Sequence, residues 1–291
     1  MSIATTMQIE ALHTDVLAWF DEAGRDLPWR VDPQPWRVMV SEFMLQQTPV
    51  ARVLPVFETW MDRWPTPAAL AADGPGEAVR AWGKLGYPRR ALRLHASATA
   101  IVEGHGGEVP DELEDLLALP GVGDYTAAAI ASFAFGHRHV VLDTNVRRLF
   151  ARTARGVEFP ADSLTAAERK LAANLLPDHD AHRWAAATME LGALVCTARS
   201  PRCGACPIDD RCAWNLAGRP GHSGPPRRGQ TYAGTDRQVR GRLLDVVRTS
   251  DSPVTQDALD AAWDDAEQRE RCLASLLADG LVTQEDGRYR L

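Results

Sequence analysis

Leu119-Pro120-Gly121-Val122-Gly123-Asp124-Tyr125-Thr126 is the stretch whose reading decides the fold. Glycines on both sides of Val122 let the backbone turn tightly and leave N–H groups unpaired. A helix is expected to begin at about Asp124, and its positive dipole end adds to the attraction for an anion. Asp111 is read as the cap of the helix that leads to Leu119. Helix, glycine hairpin and helix together make a cradle for a phosphate of a nucleic acid. Eighteen residues beyond Tyr125 lies Asp143, within Val141-Leu142-Asp143-Thr144-Asn145-Val146-Arg147-Arg148. That position suits a carboxylate facing the sugar of an extruded nucleotide. The same residue also suits the cap of the helix that carries Val146, Leu149 and Phe150.

Around this stretch the first 217 residues read as nearly all helix. Ile9, Leu12, Val16, Leu17 and Phe20 recur at helical spacing over 8–22. A further helix is expected from about Trp36 through Gln47. Pro49, Pro55, Pro65, Pro67 and Pro88 are read as breaks between short helices. Val140-Val141-Leu142 fits a short strand or a loop packed in the core. From Gly218 to Thr235, eighteen residues hold five glycines and three prolines around Arg227-Arg228 and read as a linker. Residues 236–291 then read as three helices, the second opening at Val254-Thr255 and reaching about Trp263. A hairpin turning at Glu285-Asp286-Gly287 closes the chain. This pattern predicts a winged-helix-like module whose eight arginines and twelve acids give it net charge −4.

The 291 residues are 45% hydrophobic and 24% charged, ordinary for a globular protein. No apolar stretch is long enough for a bilayer and no secretion signal is apparent, so no membrane role and a cytoplasmic location are expected. A net charge of −7 weighs against a non-specific nucleic-acid coat and leaves room for a local basic face. Arginine clusters at 25 and 30, at 89, 90 and 93, and at 147 and 148 read, one by one, as solvated helix faces.

Four of the five cysteines, Cys196, Cys203, Cys206 and Cys212, fall within seventeen residues, spaced C-x6-C-x2-C-x5-C. In a cytoplasmic chain the spacing indicates a metal centre rather than disulfides. A single short knuckle with ligands six and five residues away wraps a large object, which favours one [4Fe–4S] cluster; a structural zinc is the alternative. Cys272 reads as core. Glu42 lies in Ser41-Glu42-Phe43-Met44-Leu45-Gln46-Gln47-Thr48, between apolar runs. If buried there, it could hold a proton near neutrality. Asp143 stands in more polar company. Two carboxyls in unlike surroundings suit cleavage of a glycosidic bond, one protonating the leaving group and one, ionised, stabilising the sugar cation.

Seven segments occur here in the order seen in the adenine-specific enzymes of the helix-hairpin-helix DNA glycosylases. They are Leu27-Pro28-Trp29-Arg30, the Glu42 segment, Gly83-Lys84-Leu85-Gly86-Tyr87, Leu119 to Gly123, Leu142 to Val146, Met189-Glu190-Leu191-Gly192-Ala193 and the four-cysteine loop. The chain resembles that family over about residues 10–215. The resemblance implies a mainly α fold of two lobes, a six-helix lobe at about 29–139 and a cluster lobe from about 8–28 plus 140–217. The full expected division is 1–217, linker 218–235 and module 236–291. It implies that adenine mispaired with 8-oxoguanine or guanine in double-stranded DNA is flipped between the lobes and excised. Glu42 would act as general acid and Asp143 would stabilise the cation, with Asn145 orienting it. Tyr125 would replace the lysine of strand-cutting members, so no Schiff base would form. Gln47 would wedge the duplex, with Thr48, Leu85 and Tyr87 against the opposite base. Trp29 and Arg30 would line the adenine pocket. Glu190 and the hairpin residues Gly121, Val122 and Gly123 would serve DNA or base binding. A monomer associated with the nucleoid is expected, with a replication or repair protein as a further partner. The winged module stands where other bacterial members carry a domain that reads oxidised guanine. Two other readings fit part of this pattern: a T:G or U:G mismatch glycosylase of the same superfamily, and a non-catalytic iron–sulfur DNA-binding protein.

Overall fold

Apolar residues at helical spacing, broken by glycine and proline, give sixteen α-helices, two short 3-10 turns and one two-stranded sheet among the described residues. The computed structural model describes residues 3–222, 224 and 232–291, with backbone alone for residues 3–7. The chain divides into two compact units. The first is Met1–Val38, Asp111–Leu113 and Gly123–Pro226, and the second is Met39–Pro110, Glu114–Val122 and Arg227–Leu291.

The first unit is built on the helices Ile3–Ala23, Asp124–Phe135, Thr144–Arg155 and Ala181–Leu194. Val16, Leu149, Phe150, Trp184, Ala187 and Leu191 form its buried centre. The helix Asp124–Phe135 is alanine-rich and buried on most sides, so no single apolar stripe betrays it. Gly136 ends it in the left-handed conformation, φ 74°. Val140-Val141-Leu142 is loop, not strand, with Val141 packed against Ala128, Ala129 and Ala185.

In the second unit Trp60 meets Trp64 edge-on at 4.6 Å and Trp82 at 5.7 Å. Pro55 does not end a helix as expected; it lies inside Val50–Arg63. Burial of Val53, Phe57, Trp60 and Met61 on one face offsets the lost backbone bond, which costs about 3 kcal/mol. The helix Pro35–Leu45 stops two residues short of Gln47, which takes a left-handed φ of 54°.

The same unit contains the C-terminal module. Its helices are Asp236–Thr249, Gln256–Asp260 and Ala266–Ala278, and its strands Thr283–Glu285 and Arg288–Arg290 pair antiparallel. Val254 forms an isolated antiparallel bridge to Tyr289 beside this hairpin. The middle helix ends before Trp263, shorter than its sequence suggests. The module is seated on the segment around residues 80–89. Arg80 donates to Ser250 O at 3.1 Å and to Arg248 O, and Arg248 donates to Gly83 O. Lys84 pairs with Asp245 at 3.4 Å and Arg89 with Asp279 at 3.3 Å. A Cβ on Gly76 would lie 2.8 Å from the backbone of Leu291, so glycine lets the chain end approach. Of the expected linker 218–235, residues 223 and 225–231, with Arg227-Arg228, lie outside the described residues.

Candidate active site

In the first unit Asp143 caps the helix Thr144–Arg155. Its Oδ1 accepts from the Val146 N–H at 2.7 Å and its Oδ2 from Asn145 Nδ2 at 2.6 Å. Asn145 is held in turn, its Oδ1 accepting from Arg148 at 2.9 Å. The buried Arg148 also donates to Gly192 O at 2.7 Å and Cys196 O at 2.8 Å. One polar chain thus runs from the cysteine loop through Arg148 and Asn145 to Asp143. Gly192 makes it possible: a Cβ there would sit 2.8 Å from Asn145 Cβ. Burial raises the Asp143 pKa, and the Val146 and Asn145 hydrogen bonds and the Arg148 charge only partly oppose it.

Glu190 lies on the helix Ala181–Leu194, 1% exposed. Arg25 grips it through Nε at 2.6 Å, a terminal nitrogen at 2.8 Å and its backbone N–H at 3.1 Å, and Arg30 adds a bond at 3.0 Å. Burial alone would raise the Glu190 pKa, but these partners outweigh it and hold the carboxyl at about 2. The second terminal nitrogen of Arg30, Nη1, is buried without a hydrogen-bond partner among the described residues. Trp29 is buried beside it in sequence, on the four-residue helix Pro28–Val31. Tyr125 is half-buried and packs against the Ala128, Ala129, Val141 and Ala185 cluster.

In the second unit Glu42 is 5% exposed, on a helix whose Met39, Val40, Phe43 and Met44 are fully buried. Beyond it, Arg90 organises the turn. Its guanidinium donates to Phe43 O at 2.9 Å, Met44 O at 3.1 Å, Gln46 O, Thr48 Oγ1 at 3.0 Å and Gly86 O at 3.1 Å. It therefore satisfies the open carbonyls at the end of the Glu42 helix and ties them to the 83–87 loop. Burial lowers the Arg90 pKa to about 10, which leaves it charged at neutral pH. Gln47 is exposed and Tyr87 is 48% exposed with φ 48°, whereas Thr48 and Leu85 are buried. In the hairpin Gly121 has φ 80°, and a Cβ there would meet Arg93 Cβ at 2.7 Å. Gly123, the residue before the helix Asp124–Phe135, opens the adjoining segment of the first unit.

Cys196, Cys203, Cys206 and Cys212 line one cavity, walled by Leu149, Val195 and Trp214. Burial pushes the Cys206 thiol up to about 12 and raises the Cys212 thiol as well, which disfavours these two thiolates unless a cationic group lies beside them. Arg152, 1% exposed, donates to Cys196 Sγ at 3.3 Å and to Thr197 O at 2.8 Å, bracing the loop from inside.

Residues 40–174 match the HhH-GPD superfamily of base excision DNA repair proteins, and residues 196–212 match the iron–sulfur binding domain of endonuclease III. An adenine DNA glycosylase of Mycobacterium tuberculosis is 56% identical over 283 residues, 96% of this chain and 92% of that protein. Its counterpart in Mycolicibacterium smegmatis is 54% identical over 280 residues, 95% and 94%. The chain belongs to the adenine DNA glycosylases. As in the superfamily, the cysteine loop carries one [4Fe–4S] cluster, whose iron–thiolate bonds staple the loop when bound. The structure of a thermostable thymine-DNA glycosylase superposes with a TM-score of 0.67 at 25% identity, covering 74% of this chain and 99% of that one. Among the described residues no helix is long and apolar enough to cross a membrane. Both mycobacterial matches run well past residue 217 by their length, so this glycosylase and those two share the C-terminal region.

The arginine clusters are only partly solvated faces. Arg90 and Arg148 are buried, Arg147 pairs with Glu168, and Arg25 and Arg30 are anchored on Glu190, whereas Arg89 and Arg93 are exposed as expected. The sequence carries one hint for Arg148, its place three residues after Asn145 on the helix capped by Asp143. For Arg90 it carries none.

Proposed function

We propose that this protein hydrolyses the N-glycosidic bond of adenine mispaired with 8-oxoguanine or guanine in double-stranded DNA. The observation that carries the reading is the contrast between its two carboxyls. Glu42 is buried on an apolar stretch of helix, and Asp143 sits at a helix N-terminus with donors on both oxygens. Glu42 delivers a proton to the departing adenine ring and then helps activate water. Asp143, ionised, stabilises the sugar cation or traps it briefly, and Asn145 holds it in line.

Trp29 and Arg30 line the base pocket, and the buried unpartnered nitrogen of Arg30 suits a hydrogen bond to the extruded base. Glu190 fixes Arg30 for that task. Gly121 and Gly123 offer backbone N–H groups to a phosphate, whereas the Val122 N–H, expected to do the same, donates to Leu119 O at 3.2 Å and closes the turn. Gln47 enters the gap beside Tyr87, with Thr48 and Leu85 backing them from within. Tyr125 offers no amine, so excision leaves an intact strand. The reading also includes a monomer that works on the nucleoid, a further replication or repair partner, and the division 1–217, 218–235 and 236–291.

Duplexes with A:8-oxoguanine, A:G, T:G and U:G pairs test this. Adenine is released from the first two. Release of thymine or uracil but not adenine refutes it, and no release from any duplex favours a binding protein instead. The 56% identity to an adenine enzyme, against 25% to a thymine enzyme, supports adenine.

A further inference from the structure

We infer that the C-terminal module and the Gly83–Arg93 segment form a cationic cleft that holds the sugar–phosphate backbone of the strand opposite the excised adenine. The inference rests on the proposed function for which strand is meant, and on the cleft alone for the ligand's chemistry.

The cleft belongs wholly to the second unit and has a volume of about 1110 Å³. Of its twenty-two lining residues, nine are Arg or Lys and one is acidic. That balance is not inherited from the chain, whose net charge is −7. Nor does it come from the module's composition. Four of the module's eight arginines, Arg237, Arg240, Arg242 and Arg248, line the cleft, against one of its twelve acids, Asp245. Segregation of this kind focuses positive potential where an acidic protein otherwise repels a polyanion.

Arg240 and Arg248 bond to Asp279, Asp245 and the Gly83 carbonyl and hold the module in its seat, with Lys84 on Asp245 and Arg89 on Asp279. Arg237 and Arg242 lie exposed on the first two turns of the helix Asp236–Thr249, where the Arg242 guanidinium also stands 5.3 Å over the Trp263 ring. Arg93 comes from the opposite wall, where its stem packs on Gly121. Between these walls stand two exposed aromatic rings, Tyr87 at 48% and Tyr232 at 54%. Cations spaced along a groove with aromatic faces among them suit a nucleic-acid strand, phosphates on the guanidinium groups and sugars or bases on the rings. Gln46 and Gln47, at the end of the helix that carries Glu42, form part of the same lining. A strand lying there therefore passes the residue proposed to wedge the duplex. An acidic peptide would use the charges but gives no role to the rings or to Gln47.

The test compares wild type with Arg237→Ala/Arg242→Ala on a duplex whose mispaired deoxyadenosine carries a 2′-fluorine, which prevents base loss. Loss of both phosphate contacts makes the slope of log affinity against log salt shallower by about 2 and weakens binding roughly tenfold or more at moderate salt. Arg271→Ala, outside the cleft and paired with Asp236, leaves the slope unchanged. Neutral methylphosphonates placed in the strand opposite adenine weaken wild type and not the double variant. An unchanged slope in a double variant with wild-type helicity and iron content overturns the inference. So does a methylphosphonate effect confined to the adenine strand. If wild type releases no adenine from any duplex, the proposed activity fails, while a changed slope in the double variant still supports the cleft.

Discussion

Replacing Glu190 by Gln removes a single charge from the carboxylate that Arg25 and Arg30 share in the first unit. Glu190 is 1% exposed, Arg25 36% and Arg30 20%. Its pKa falls from 4.5 to about 2 on folding. At about 1.4 kcal/mol per pH unit, the ionised carboxylate contributes about 3 kcal/mol; solvent screening at Arg25 reduces this to about 2. The folded pKa is depressed, so the contribution is present above pH 4.5 and is lost as pH falls towards about 2. A cluster-bearing protein does not unfold as two clean states, so the suitable probe is native-state hydrogen exchange of the Ala181–Leu194 helix. Its slowest amides should exchange roughly thirtyfold faster in Glu190→Gln at pH 7, the equivalent of about 2 kcal/mol. The ratio between variant and wild type should narrow as pH drops below 4.5. A ratio within about twofold at pH 7 would show that desolvation cancels the pair, as it does in many buried ion pairs, and would refute the reasoning.

Asp143→Asn should bind the mispaired duplex and release no base; excision at a wild-type rate would end the two-carboxyl mechanism. Because burial raises the Asp143 pKa, single-turnover excision by wild type should fall on the acid side at a pH above the ordinary 3.8, and an inflection at or below that value would contradict it. With Tyr125 in the hairpin, borohydride should trap little covalent adduct on an abasic duplex, and efficient trapping would overturn monofunctional cleavage. Purified protein should absorb in the visible and hold about four irons, a content lost in Cys206→Ser; a colourless protein with one zinc would refute the cluster. Arg90→Lys keeps a charge but not the fork that serves five acceptors. It should cost about 2 kcal/mol and loosen Gln47, read as a lower melting temperature and weaker mismatch binding, and an unchanged protein would deny Arg90 its organising role.

Much of this was legible in the chain itself. The glycine hairpin, the helix starting at Asp124 and the cysteine spacing follow from local chemistry. Gly121 needs a left-handed φ, Asp124 suits a helix start, and thiols so spaced favour a multi-atom centre over a single zinc. Asp143 announced its cap because Asn145 and Val146 follow at capping distance. Other elements were hidden because their causes are remote in sequence. Pro55 reads as a breaker until the apolar face beside it is seen buried. Val140-Val141-Leu142 fits a strand or a core-packed loop by its chemistry, and the structure decides for the loop, with no neighbouring strand among the described residues to pair with it.

The sequence by itself determined the helical class, the glycine hairpin and the four-cysteine loop, since each depends on residues close together along the chain. Only the tertiary structure decided what the arginines do. A guanidinium has the same charge on a solvated face as beneath a helix end, and what distinguishes the two is which carbonyls and carboxylates surround it. Those acceptors come from residues 40 to 50 positions away for Arg90 and Arg148, and some 160 away for Arg25 and Arg30. The same holds for the module: its composition is acidic, and only folding turns four of its arginines towards one cleft.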